Sequence, residues 1–178
     1  MSESTISLRQ IGVVLLISAL AGWFLLPALG NRLRHSVGEP VPDFSLPIVL
    51  GGEKDSRQSL QSLRGKTVLM DFWASWCGPC RQTLPAVEQL AKDSAKRNLV
   101  VLGINQGETP ETIRQFYSGH DPGYSILSDL DGAVSNELGI NGLPTLIVID
   151  KQGKLRGSIS GATTYPRLER LVAEAESP

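Results

Sequence analysis

The sequence predicts an α/β domain, a mixed central β-sheet flanked by helices, preceded by a transmembrane helix. Three observations carry that expectation. Apolar strand-like runs alternate with segments of helical periodicity from about Pro42 onward. Two pairs of short apolar stretches flank glycine-containing turns and read as hairpins. A charge-free run of 19 residues stands near the N-terminus.

Residues 1–10 form a short tail. Ile11 to Leu29, IGVVLLISALAGWFLLPAL, follows without a charge. As a helix it spans roughly 28 Å, about the hydrocarbon thickness of a bilayer. Trp23 and Phe24 suit an interface, and Pro27 falls near the end, where a helix tolerates it. Arg9 with Ala28 and Gly30 also fits a cleaved signal peptide, but the run exceeds most signal cores, so an uncleaved anchor is expected. Residues 30–41, with Gly38 and Pro40, read as a linker, and 42–178 as the domain.

Within the domain, DFSLPIVLGGEKDSRQSL breaks at Gly51-Gly52 and predicts an N-terminal β-hairpin. Ser59 to Arg64 is a short helical turn stopped by Gly65. Thr67 to Trp73, TVLMDFW, is apolar except for Asp71, as a central strand buried on both faces should be. A helix runs from about Cys77 to Lys96, with Leu84, Val87, Leu90 and Ala91 at helical spacing. Leu99 to Asn105 is the next buried strand. Thr109-Pro110 caps and starts a helix reaching about Ser118. YSILSD is a short strand and Gly132 to Gly139 a short helix. Pro144 to Asp150 and Lys154 to Ser160 form a second hairpin about Lys151-Gln152-Gly153. YPRLERLVAEA closes the chain as a helix with Leu168, Leu171 and Val172 on one face. There is no internal repeat and no low-complexity tract.

At 178 residues, 41% of them hydrophobic, the chain has enough apolar content for a core without disulfide or metal staples. A net charge of −1 with no basic run argues against a nucleic-acid partner, and two cysteines cannot make a disulfide framework.

Both cysteines lie in FWASWCGPCRQTLP. Cys77 sits where a strand gives way to a helix, so its sulfur faces free backbone N–H groups and the positive end of the helix dipole. That setting favours the thiolate, the nucleophile of disulfide exchange. Cys80 lies one turn deeper, near enough to close a disulfide. Gly78 leaves room for a partner chain, and Pro79 suits the first helical turn. A nucleophile above a resolving thiol is the arrangement for exchange through a mixed disulfide.

Rival chemistries fit less well. Structural zinc needs four ligands, and only the distant His35 and His120 accompany the pair. Haem attachment needs His after the second cysteine, where Arg81 stands. A peroxiredoxin would place Pro and Thr or Ser where Met70 and Ala74 are. A purely structural disulfide across so short a loop restricts the unfolded chain little. A tethered copper metallochaperone using Cys77, Cys80 and His120 remains an alternative, although His120 beside Asp121 and Pro122 reads as a surface-loop residue. Asp71 interrupts a buried strand, so desolvation should raise its pKa unless local hydrogen bonds satisfy it.

VLMDFWASWCGPC resembles the active-site strand and loop of thioredoxin, and GLPT, Gly142 to Thr145, resembles the segment bearing its cis-proline. GEPVPDFSLP, LRGKTVLMDFWASWCGPCR, the insert VLGINQGETPETIRQFY and GINGLPTLIVIDKQGKL together are similar to the TlpA/ResA-like branch of membrane-anchored, thioredoxin-like proteins of bacterial envelopes, over about residues 38 to 172. The resemblance implies a thioredoxin-like fold with a central insert. It further implies Cys77 as attacking thiolate, Cys80 as resolving thiol and Asp71 as the acid that shuttles the Cys80 proton. Leu143–Pro144 would be a cis peptide bond whose backbone pairs with substrate, and Trp76, with Gly78 and Pro79, part of the docking rim. The chain departs from the branch at Thr83, where an acid is expected, which makes the site more like thioredoxin itself.

Gly-Pro between the cysteines resembles the reducing thioredoxins, which implies a reductant of protein disulfides. Its partners would be a disulfide-containing protein, for instance apocytochrome c or a copper-site protein of oxidase assembly, and a separate envelope electron donor. No flavin or nicotinamide fingerprint occurs, so the expected redox centre is the Cys77–Cys80 disulfide alone, with no cofactor and no metal. Disulfides persist outside the cytoplasm, which places the domain on the periplasmic or exterior side of the bacterial inner membrane. Arg32 and Arg34 after the apolar run, against Arg9 before it, bias the charge rule the other way.

Overall fold

The computed structural model describes residues 35–53 and 55–177. The apolar run 11–29 lies outside them, and among the described residues no helix is long and apolar enough to cross a membrane. In chain order the elements are β1 (Ser45–Leu50), β2 (Arg57–Ser59), a 3-10 turn (Gln61–Leu63), β3 (Thr67–Trp73), α1 (Gly78–Ser94), β4 (Leu99–Gln106), α2 (Pro110–Phe116), β5 (Ser125–Asp129), α3 (Ala133–Leu138), β6 (Thr145–Ile149), β7 (Leu155–Ser160) and α4 (Tyr165–Glu176).

One seven-stranded sheet runs β2-β1-β5-β4-β3-β6-β7. β3, β4 and β5 are parallel, while β1 and β6 add antiparallel to the two outer members of that trio. Parallel neighbours need crossovers, and α1 and α2 supply them. β3 lies between β4 and β6 and is buried at every position, which explains its nearly unbroken apolar run. Its register with β4 runs from Thr67↔Leu99 to Trp73↔Asn105, so both strands end at the same sheet edge. The loops that follow them therefore emerge side by side, at the carboxyl ends where α/β sheets build their sites.

Alternation along β3 divides the core. Leu69 and Trp73 pack with Val87 and Leu90 of α1, Ile113 of α2 and Leu168 of α4. Val68, Met70 and Phe72 face the other way, toward Leu60, Leu63, Val134 and Leu138. Asp71, between Leu69 and Trp73, thus shares the cysteine-bearing face.

The ends of α1, α2 and α3 fall slightly inside the expected spans, and α4 runs one residue past its own. Beyond Ser94 the N–H groups of Lys96 and Arg97 bond to carbonyls three residues back, tightening the chain out of α-geometry. Pro85 inside α1 has no N–H to offer the Arg81 carbonyl one turn earlier. The end of the segment read as a linker is tied to the sheet edge. The Gly38 N–H donates to the Leu155 carbonyl at 2.7 Å, the Val41 N–H to that of Gly153 at 3.0 Å, and Val41 is buried. Gly and Pro hide such pairing in sequence because the partner strand lies more than a hundred residues away.

Gly103, opposite Asp71 on β4, is glycine for want of space. A Cβ there would meet Ile126 Cδ1 at 2.7 Å, Tyr124 Cε2 at 3.1 Å and Trp73 Nε1 at 3.3 Å. Gly103→Ala is expected to lower stability by about 1–3 kcal/mol, read from the urea midpoint. An unchanged midpoint would mean that these side chains yield freely.

Candidate active site

Cys77 has extended backbone, φ −80° and ψ 106°, and caps α1; its Sγ accepts the Cys80 N–H at 3.2 Å. The two cysteines form a disulfide, S–S 2.02 Å with Cα atoms 5.2 Å apart, and both are buried. A sulfur that accepts an N–H at the start of a 17-residue helix is stabilised in its anionic form, by the bond and by the helix dipole together. Gly78 and Pro79 form the exposed first turn above the pair, and nothing lies within 4 Å of a Cβ built on Gly78. The surface at Gly78 is therefore free of side chains on that side.

Leu143–Pro144 is a cis peptide bond. Phe72 pairs with Thr145, the first residue of β6, so the cis bond comes just before that strand, at the end of β3 that leads to Cys77. The Pro144 carbonyl accepts the Gly161 N–H at 2.8 Å, and Thr145 Oγ1 donates to the Gly142 carbonyl at 2.7 Å. Trp76, 71% exposed, lines a groove of about 340 Å³ with Gln106, Ile140, Asn141, Gly142 and Leu143. The fold thus joins three segments well apart in sequence into one trough.

Asp71 is 1% exposed, and among the described residues its Oδ1 has no hydrogen-bond partner. Desolvation pushes its carboxyl up to about 7. Thr83, at the position where the branch carries an acid, is fully buried. Its hydroxyl donates to the Pro79 carbonyl at 3.2 Å and accepts the Thr163 N–H at 3.2 Å, tying α1 to the loop before α4. A hydroxyl can do both at once, whereas an ionised carboxylate cannot donate. His120 Nε2 lies 2.7 Å from Glu88 Oε1, and no cluster of three or more metal-ligating side chains occurs among the described residues.

Sequence reasoning missed one residue at the site. Glu108, between β4 and α2, accepts the Ser75 N–H at 2.7 Å, the Ser75 hydroxyl at 2.5 Å and Asn105 Nδ2 at 2.7 Å. Desolvation pushes its carboxyl up, but the bonds from Ser75 and Asn105 outweigh that and hold it below the ordinary glutamate value. Read along the sequence, a glutamate before a Thr-Pro helix start is a surface charge; only tertiary pairing reveals its partner.

Residues 37–158 match the family model described as AhpC/TSA family. The chain belongs to the AhpC/TSA family. Among proteins similar to this AhpC/TSA member is the thioredoxin-like protein YneN of Bacillus subtilis, 32% identical over 164 residues, or 90% of this chain and 93% of that one. The thiol-disulfide oxidoreductase ResA of Geobacillus thermodenitrificans is 30% identical over 162 residues, 91% of each. A crystal structure of a thiol:disulfide interchange protein, thioredoxin family, from Chlorobium tepidum superposes with a TM-score of 0.64 at 31% identity, covering 76% of this chain and 94% of that one. Within the AhpC/TSA family, then, this chain has the thioredoxin-like fold and is a thiol–disulfide oxidoreductase.

Proposed function

We propose that the chain is a membrane-anchored reductant of protein disulfides, held by residues 11–29 with its domain outside the cytoplasm. The observation that carries the reading is Cys77 at the α1 N-cap, closed onto Cys80 beside an open apolar groove. In the reduced protein the Cys77 thiolate attacks one sulfur of a substrate disulfide, forming a mixed disulfide and releasing one substrate thiolate. Cys80, giving up its proton, then attacks the Cys77 sulfur. That step frees the second substrate thiolate, and two electrons have passed to the substrate. Asp71, on the same face and poised near neutrality, takes the Cys80 proton. Trp76, Gly78 and Pro79 form the rim, and the Leu143–Pro144 backbone offers a strand-like edge to the substrate chain.

Recovery of the dithiol requires an envelope electron donor. The TlpA/ResA-like resemblance suggests apocytochrome c or a copper-site protein as substrate. Two measurements test the reading. The reduced full chain should reduce insulin disulfides while becoming oxidised at Cys77 and Cys80. A periplasm-active reporter fused after Pro178 should be active, and one that works only in the cytoplasm should be silent. The opposite reporter pattern would overturn the placement, and failure on insulin the activity.

A further inference from the structure

We propose that Glu108 is the positioning residue of the active-site loop, a brace from the β4–α2 insert that fixes Ser75 so that Trp76 stands ready for a protein substrate. The inference rests on the reduction of protein disulfides proposed above. Every polar group of Ser75 is engaged: its N–H and hydroxyl donate to the two oxygens of Glu108, and its carbonyl accepts Arg81 Nε at 2.8 Å. Charge-assisted bonds of this kind are among the stronger ones, and two from one residue fix orientation as well as place.

Glu108 is itself anchored. Asn105 Nδ2 donates to it, Ser128 Oγ lies 3.4 Å from its carbonyl, and the Gly107 N–H donates to the Asp129 carbonyl at 3.0 Å. A second strut joins the same insert to the active-site helix. Phe116 of α2 packs 5.1 Å from Trp73, and the Arg81 guanidinium sits 5.6 Å over the Phe116 ring. The insert therefore grips the loop on its N-terminal side through Ser75 and on its C-terminal side through Arg81.

Between these grips, next to Ser75, stands Trp76, the most exposed large apolar side chain of the site. An aromatic this exposed gains little from packing in the free protein. Its backbone must be held by other means if docking is not to cost the ordering of the loop. Glu108 meets that need without lining the groove, because the Trp73↔Asn105 register brings its loop beside the one bearing Ser75.

The test uses the full chain with insulin as protein substrate and hydroxyethyl disulfide as a small one that needs no rim. Glu108→Ala should raise KM for insulin about tenfold and leave kcat and the small-disulfide rate within about twofold. Glu108→Gln, which keeps one acceptor oxygen, should fall between. Trp76 fluorescence, isolated by difference against Trp76→Phe, should depolarise faster in Glu108→Ala. Unchanged KM and depolarisation, or equal losses on both substrates, would overturn the brace. If Glu108→Ala does not fold, Ser75→Ala, which removes one donor, carries the test; it should raise KM for insulin about threefold, and no rise would overturn the brace. Were the wild type to reduce neither substrate, the reductase reading would fall and Trp76 depolarisation alone would decide the brace.

Discussion

Cys80→Ser is expected to leave the full chain covalently joined to its protein substrate through Cys77, with multiple-turnover reduction reduced to background. The expectation follows from the two-step exchange. Cys77 at the α1 N-cap forms the mixed disulfide, but without a thiol one helical turn away nothing intramolecular resolves it. The adduct should survive a non-reducing gel, where no thiol is present to exchange with it, and be released by excess dithiothreitol. Mass spectrometry of the adduct would show a single bridge at Cys77 and would identify the natural partner. Cys77→Ser should form no adduct at all. A bridge found at Cys80 instead, or no bridge with either variant, would reverse or remove the assigned roles.

Asp71→Asn is expected to stabilise the oxidised domain and slow its catalysis. The carboxyl moves from its ordinary 3.8 up to about 7 on folding. Between those values the folded chain binds more protons than the unfolded one, so stability falls as pH rises through that window. At about 1.4 kcal/mol per pH unit, the penalty nears its full size by pH 8, on the order of 4 kcal/mol as an upper bound. Asn carries no charge to bury. The variant should therefore exceed the wild type by about 2–4 kcal/mol at pH 8 and match it near pH 4, read from urea midpoints at the two pH values. The rate moves oppositely. Without a base for the Cys80 proton, turnover near pH 7 should drop about a hundredfold and recover as pH climbs toward the ordinary thiol pKa. Equal stability at pH 8, or an unshifted pH–rate profile, would remove Asp71 from the mechanism.

The sites of these two variants were legible in sequence because each is a local anomaly. A charge inside TVLMDFW contradicts its buried neighbours, and two cysteines three apart at a strand-to-helix change carry their chemistry in their spacing. Strands and helices were legible for a related reason. Hydrophobic period reports directly on which side of an element is buried. Thr83 was legible only as a departure. Its purpose, tying Pro79 of its own helix to Thr163, 80 residues beyond Thr83, waited for the fold.

By itself, then, the sequence determined the elements, the cysteine pair and the charge inside β3, all features written within a few consecutive residues. The tertiary structure decided what those features face. It set the cis Leu143–Pro144 bond at the end of β3 that leads to Cys77, completed a groove from Trp76 and Gly142–Leu143, and laid Glu108 against Ser75. The reason is geometric. Parallel strands end, and an antiparallel neighbour begins, at one edge whatever the length of chain between them, so the loops that meet there share a neighbourhood that local sequence does not encode.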